Sequence, residues 1–270
     1  MKPTNLIIDL LRTYKDKGLD VKSIMDTGNL FKFSENRIRV SLSRLVTKNI
    51  IEKQQRGFYR ISKAAHPIND FTEKWRLGEA RCKPWSNNKW ICIHSTTSLT
   101  KKSLWVLRIH GFRKISEKLW VRPDNVNFSN GSCGDFLHQM GLNKDIILIT
   151  DANLENESCQ AWFDQFDLAQ LEQSYSDMQL KLATSQIRLS ALPLKSAKKE
   201  SFNIGGEAIS LLATDPLIPA EYHTSAKRQK LWKTLQSYDL YGREIWSLSP
   251  ESQPLTTPTQ GLLPDSTIRN

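Results

Sequence analysis

Arginine, asparagine and hydroxyl side chains crowd one side of the stretch Ser34–Thr47 (SENRIRVSLSRLVT). Ile38, Leu42 and Leu45 stand at i, i+4 and i+7 and share one helical face. At about 100° per residue, the opposite face carries Asn36, Arg37, Val40, Ser43, Arg44 and Thr47, and no acid. Arginine pairs bidentately with guanine and asparagine with adenine, so this face suits the floor of a grooved polyanion. Two strand-like runs follow, Ile50–Gln54 and Phe58–Ile61, around a turn at Gln55-Arg56-Gly57. A helix with one greasy and one basic face, then a basic hairpin, suits the recognition helix and wing of a winged helix-turn-helix. The expected contacts are Ser34, Asn36, Arg37, Arg39, Ser41, Ser43, Arg44, Thr47 and Lys48 on the helix, with Lys53 and Arg56 on the hairpin. The outward angle aims Arg37 and Arg44 at the groove, while Arg39 on the flank suits a phosphate. Ser34 doubles as the helix cap. The competing reading is an amphipathic helix with a solvated basic face.

The charge supports the first reading. The formal net charge is +10, yet residues 1–63 hold 14 Lys/Arg against 6 Asp/Glu, and the remaining 207 hold 24 against 22. A basic front joined to a near-neutral remainder points to a polyanion partner for the front alone. Cys82, Cys92, Cys133 and Cys159 are widely spaced, with no zinc-ligand pattern, so neither a structural metal nor a disulfide framework is expected. Leu6–Leu11 is short and interrupted by Asp9, unlike a signal peptide. No apolar run approaches the roughly 20 residues that span a bilayer. Together these predict a cytoplasmic protein with reduced thiols and no membrane partner.

The elements that would position the basic face can be read in order. A helix is predicted over 4–17, with Leu6, Ile7, Leu10, Leu11 and Tyr14 inward and Gly18 as its stop. A second runs from Val21 to Thr27, capped by Asp20 and ended by Gly28. With the third helix and the hairpin, residues 1–63 carry the parts of a winged helix domain. Residues 64–88 read as a linker with a short helix near 69–79, and Trp75 and Trp85 as packing residues. From 89 to 190 the pattern changes: a strand at Trp90–His94, a helix over 98–110, a strand at Lys118–Arg122, a helical turn within 132–141, a buried strand at Asp145–Thr150, and a closing helical region from Glu157 to Leu189. That succession suggests a ferredoxin-like α+β sandwich, a sheet type that often pairs as a homodimer. Pro193–Lys199 reads as a basic connector, 200–248 as a mostly helical C-terminal domain, and 249–270 as a disordered tail.

RIRVSLSRLVTKNIIEKQQRGFYRIS resembles the N-terminal domain of the PaaX family, bacterial repressors of aromatic-acid catabolism. PWSNNKWICI, Gly111-Phe112 and LWVRPDN are similar to that family's central domain, and AISLLATDPLIPAEY, less closely, to its C-terminal motif. The resemblance covers about residues 4–245. It implies a homodimeric repressor that binds a double-stranded DNA operator, has no cofactor, and lets go when an acyl-coenzyme A thioester such as phenylacetyl-coenzyme A binds. After Asp215-Pro216 the chain reads LIPAEYHTSAKRQKLW, without the family's second Leu-Pro pair or its Trp-Pro, which puts the identity of the effector in question.

Such a thioester needs cations for its phosphates and an apolar slot for its acyl group. Arg108, Arg113, Arg122, Lys195, Lys198 and Lys199 are candidate cations and Trp105 and Trp120 candidate walls; Arg108, Trp120 and Arg122 form the working set. Enzyme readings are weaker, and none is expected. GxSxG, HExxH and GxGxxG are absent, and the five histidines stand apart. A ferredoxin-like core also resembles small CRISPR-associated nucleases, which hold Mg²⁺ with an Asp ending the first strand. Here that position reads Ile93-His94-Ser95. A scaffold that binds DNA without sequence preference is the third reading.

Overall fold

Four leucines and isoleucines on one face of the first helix organise the front of the chain. The computed structural model describes residues 2–14, 18–85, 88–128, 133–143 and 145–248; the expected tail at 249–270 lies outside the described residues. Within them the chain is α+β, with ten α-helices and two small antiparallel sheets. Helix α1 (Pro3–Tyr14) buries Leu6, Ile7, Leu10 and Leu11. Strand β1 (Leu19–Asp20), α2 (Val21–Leu30), α3 (Glu35–Thr47), β2 (Ile51–Gln55) and β3 (Phe58–Ile61) follow, and the strands pair in the order β1-β3-β2. Ile24 of α2, Ile38, Leu42 and Leu45 of α3, and Ile51 and Ile61 of the hairpin close on α1 as one core.

The helix starts follow side-chain chemistry. Asp20 accepts the Ser23 N–H at 2.9 Å, and Ser34 Oγ accepts the Arg37 N–H at 3.4 Å. The second helix does not stop at Gly28. It continues to Leu30, and the chain turns at Lys32, whose φ is +61°. Gly28 is instead where α2 and α3 touch: a Cβ there would lie 2.7 Å from Ile38 Cγ1.

Residues 64–88 are not a free linker. Helix α4 (His66–Glu73) runs into a 3₁₀ stretch, Lys74–Arg81, that is clasped to the back of the chain. Trp75 is 1% exposed and packs with Leu212, Leu231 and Leu235. Trp232 Nε1 donates to the Trp75 carbonyl at 3.0 Å, and Arg81 Nη1 donates to the Leu212 carbonyl at 2.9 Å.

The central unit is β4 (Lys89–Ser95), α5 (Lys101–Ile109), β5 (Arg113–Lys114), β6 (Leu119–Pro123), α6 (Cys133–Met140) and β7 (Ile146–Asn153), with strand order β5-β6-β4-β7 and every pair antiparallel. Alternate side chains point to opposite faces of a sheet. Ile91, Ile93 and Trp120 meet Val106 and Leu107 of α5 and Leu137 of α6. Trp90, Cys92 and Val121 point the other way, onto Cys159 and Phe163 of α7 (Asn156–Phe163) and onto Phe166.

Two expectations fail here for physical reasons. The run Ile146–Ile149 is not a buried strand but the edge of the sheet, with Ile147 53% and Ile149 46% exposed. A short apolar run reads alike whether it is central or at an edge. The region 157–189 is not one closing helix. It breaks at Asp167, where φ is +44°; α7 and the first turn of the helix after it pack on one face of the sheet, and α6 on the other. Helix α8 (Leu168–Leu189) leaves to form a bundle with α9 (Leu194–Ala213) and α10 (Ala226–Ser247) around Leu182, Leu189, Ala208, Leu231, Leu235 and Tyr238. The expected connector Pro193–Lys199 is the opening of α9, with Pro193 at its N-cap. The front module rests on this bundle: Phe31 meets Phe202 edge-on at 5.4 Å, and Phe202 meets Trp246 at 5.7 Å.

Candidate nucleic-acid interface

Because α3 buries Ile38, Leu42 and Leu45, its remaining side chains turn outward together. Asn36, Arg37, Arg39, Val40, Ser43, Arg44, Thr47 and Lys48 are all exposed. The Arg37 guanidinium lies 5.3 Å from the Phe33 ring, which holds it beside the helix start. Arg39 reaches the Glu35 carboxylate at 3.7 Å; with both side chains largely in water, this pair is weak and readily exchanged. Among the described residues Arg37, Arg44, Lys48, Lys53 and Arg56 form no ion pair. Thr47 Oγ1 donates to the Ser43 carbonyl at 3.1 Å, so its hydroxyl proton points along the helix.

Ser41 requires a correction. It is 6% exposed and belongs to the inner face, because it sits three residues after Ile38 and four before Leu45. It cannot touch a groove. Ser34 is exposed, with its hydroxyl accepting the capping N–H.

The hairpin stands beside α3. Val21 N–H donates to the Gly57 carbonyl at 2.8 Å, tying the tip of the hairpin to the start of α2. Gly57 has φ +82°, a conformation that glycine adopts without strain. The register slips between Lys53 and Gln55, which marks a bulge just before the tip. Glu52 and Arg60 face each other across the strands and pair at 2.6 Å, leaving Lys53 and Arg56 as the exposed cations of the tip. Lys32, exposed in the turn before α3, extends the positive surface, and it carries no helical-periodicity signal because it precedes the helix.

The effector residues do not come together. Arg108 lies on the exposed side of α5, and Trp105 is 45% exposed. Trp120 is 5% exposed and fills the core between the sheet and α5, so it walls no pocket. Arg122 alone reaches a cavity, of about 240 Å³, roofed by the 3₁₀ strap and floored by the end of α5. Its guanidinium is buried and donates to the carbonyls of Pro123, at 3.1 Å, and of His110. Burial lowers its pKa to about 10.

His110, 4% exposed, lines the same cavity. Burial lowers its pKa to about 4; the Val106 carbonyl opposes the shift and the charges of Arg122 and Lys74 add to it. A histidine whose folded pKa lies below its unfolded value stabilises the fold above the unfolded pKa, near 6.5, and loses that contribution as pH falls towards 4. The loss should total about 3 kcal/mol between those limits. Urea midpoints measured from pH 7 to pH 4 should drop accordingly, and the drop should flatten in His110→Phe. A drop of equal size in that variant would show that His110 is not its source.

Among the described residues no group of three or more His, Cys, Asp or Glu is gathered to hold a metal ion, and no helix is long and apolar enough to cross a membrane. Arrangement and surface together define an α+β chain with a free basic helix face at one end. No family model matches the chain, and no curated protein does. Among solved structures it is similar to the uncharacterized protein Rv0674 from Mycobacterium tuberculosis, with a TM-score of 0.55 and 17% sequence identity over 91% of this chain and 99% of that one. At that identity the likeness concerns the fold alone.

Proposed function

We propose that residues 3–61 form a winged helix-turn-helix that places α3 in the major groove of duplex DNA, and that the chain is a sequence-specific repressor of the PaaX type. The observation that carries this reading is the outward face of α3, where Arg37 and Arg44 stand exposed and, among the described residues, without an ion-pair partner, opposite a packed inner face. The order of helices and strands, with a β1-β3-β2 sheet and a basic tip, supports it. In this reading Arg37, Arg44 and Asn36 meet base edges, and Arg39, Lys48, Lys53 and Arg56 meet phosphates. Arg44→Ala should weaken binding to a selected duplex by about 1–3 kcal/mol and relax preference at one position. A gel-shift titration with unchanged affinity would count against the assignment.

The central unit, read as ferredoxin-like from its βαββαβ succession, is the proposed dimerisation element. Its β7 edge leaves Ile147 and Ile149 bare, and a second copy is the occupant that two-fold symmetry would supply. Ile147→Glu with Ile149→Glu should convert a sedimenting dimer to monomer; a wild-type chain that sediments as a monomer would remove this part. The family-type effector is an acyl-coenzyme A thioester such as phenylacetyl-coenzyme A, acting in the bacterial cytoplasm on an aromatic-acid operon.

A further inference from the structure

Among the clusters outside the basic face, the cavity under the strap is the one whose chemistry is incomplete. Its walls hold three aromatic rings, Phe71, Phe128 and Phe136, and three cations, Lys74, Arg81 and Arg122. Among the described residues neither Arg81 nor Arg122 forms an ion pair, although both are buried; their guanidinium protons go to backbone carbonyls and to Asn125 Oδ1. Lys74 Nζ sits over the Phe136 ring at 4.8 Å. Among the described residues Asp215 is the one acid of the wall, and it is already engaged by Tyr175, by the Leu217 N–H and by Arg228. The lining is therefore positive and shielded from water, a state that an incoming anion relieves.

A second feature narrows the ligand. His110 Nδ1 lies 2.7 Å from the Val106 carbonyl, so Nδ1 carries the proton and Nε2 presents a lone pair. Among the described residues Nε2 is buried and has no hydrogen-bond partner. An unpartnered buried acceptor costs free energy that a hydroxyl donor would recover. The volume, about 240 Å³, is below that of most clefts for drug-sized ligands, roughly 300–1,000 Å³, so it suits one ring rather than a coenzyme.

We propose that this cavity is a binding site for a small hydroxylated aromatic carboxylate. The ring packs among Phe71, Phe128 and Phe136, the carboxylate meets the Lys74, Arg81 and Arg122 charges, and the hydroxyl donates to His110 Nε2. Leu77, Ala80 and Asn127, exposed at the rim, frame the way in. The site stands independently of whether the front module reads DNA. It differs from the thioester effector, because the free acid itself is the ligand.

Calorimetric titration of the full chain tests this with the isomers of hydroxybenzoate and hydroxyphenylacetate as probes, and benzoate, phenol and phenylacetyl-coenzyme A as comparisons. At least one hydroxylated acid should bind, with benzoate about tenfold weaker for want of the donor and phenol undetectable for want of the charge. Lys74→Met, a change at the partly exposed edge of the strap, should weaken the acid about tenfold or more without altering Tm. His110→Phe should abolish the preference for the hydroxylated ring. If that variant does not fold, the wild-type His110 ring resonances must move on adding the acid. Absence of binding by every hydroxylated acid at millimolar concentration overturns the proposal. So do binding unchanged by Lys74→Met and binding confined to the coenzyme thioester.

Discussion

Duplex affinity is expected to fall about a hundredfold per copy when salt rises from 50 mM to 200 mM. The basic face supplies six exposed cations: Arg37, Arg39, Arg44 and Lys48 on α3, and Lys53 and Arg56 on the hairpin. Each phosphate neutralised releases condensed counterions, and the four phosphate contacts, Arg39, Lys48, Lys53 and Arg56, give a slope of about −3.6 in log affinity against log salt. Arg39 must first leave Glu35, but an exposed pair at 3.7 Å offers little resistance. Fluorescence anisotropy with a labelled duplex measures the slope directly. The variants sort the contacts. Lys53→Ala should shallow the slope by about one without changing sequence preference, whereas Arg44→Ala should change the preference as well. A nearly flat salt dependence would mean that the face is solvated and idle.

Arg228→Ala should destabilise the chain by about 3–5 kcal/mol, because it strands buried charge. Arg228, with only 5% of its side chain exposed, holds Glu79 through two bonds of 2.8 Å and lies 3.6 Å from Asp215, whose side chain is fully buried. Burial alone would lower the Arg228 pKa; the Glu79 bonds and the Asp215 charge outweigh it and raise it. Burial and the same carboxylate raise the Tyr175 pKa, so the phenol stays protonated and donates to Asp215. Without the guanidinium, the Asp215 carboxylate keeps the hydrogen bonds of Tyr175 and the Leu217 N–H and the charges of Arg81 and Arg113, and loses its nearest cation. Glu79 belongs to the strap and Arg228 to α10, so the loss would also loosen the segment that joins the front module to the bundle. Urea unfolding reads the effect. Adding Asp215→Asn to Arg228→Ala should recover part of it, since the uncompensated charge is then gone. An Arg228→Ala midpoint equal to wild type would show the network to be energetically idle.

The front module was legible because each of its elements carries its own local signal. Asp20 and Ser34 sit where helices begin, Gly57 sits where the hairpin turns, and the spacing of Ile38, Leu42 and Leu45 settles which way α3 faces. Ser41 escaped because it borders the apolar stripe, and burial there depends on how closely α1 approaches. Gly28 was read as a stop, although its missing side chain serves the crossing with Ile38. Farther along, signals of the right kind lost their context. The apolar run at Ile146–Ile149 does form a strand, but whether a strand lies inside or at an edge is decided by its neighbours. The helical pattern after Glu157 is real, yet Asp167 splits it between the sheet and the bundle. The cavity was hidden for the same reason. Phe71, His110, Arg122 and Asp215 are far apart in the chain and meet only when the strap closes over α5. Of the effector residues read from the chain, Arg122 reaches it through β6, while Trp120, two residues earlier on the same face, is packed into the core against α5.

The account depends most on α3 reading base edges. The direct measurement begins with duplexes selected from a random pool by the full chain, followed by titration of the recovered sequence with wild type and with the Arg37→Ala, Arg44→Ala double variant. A recurrent site should emerge, and the double variant should bind it at least about tenfold more weakly while unfolding at the same temperature. Recovery of no common sequence, or equal affinity of the two proteins for the recovered one, would contradict it.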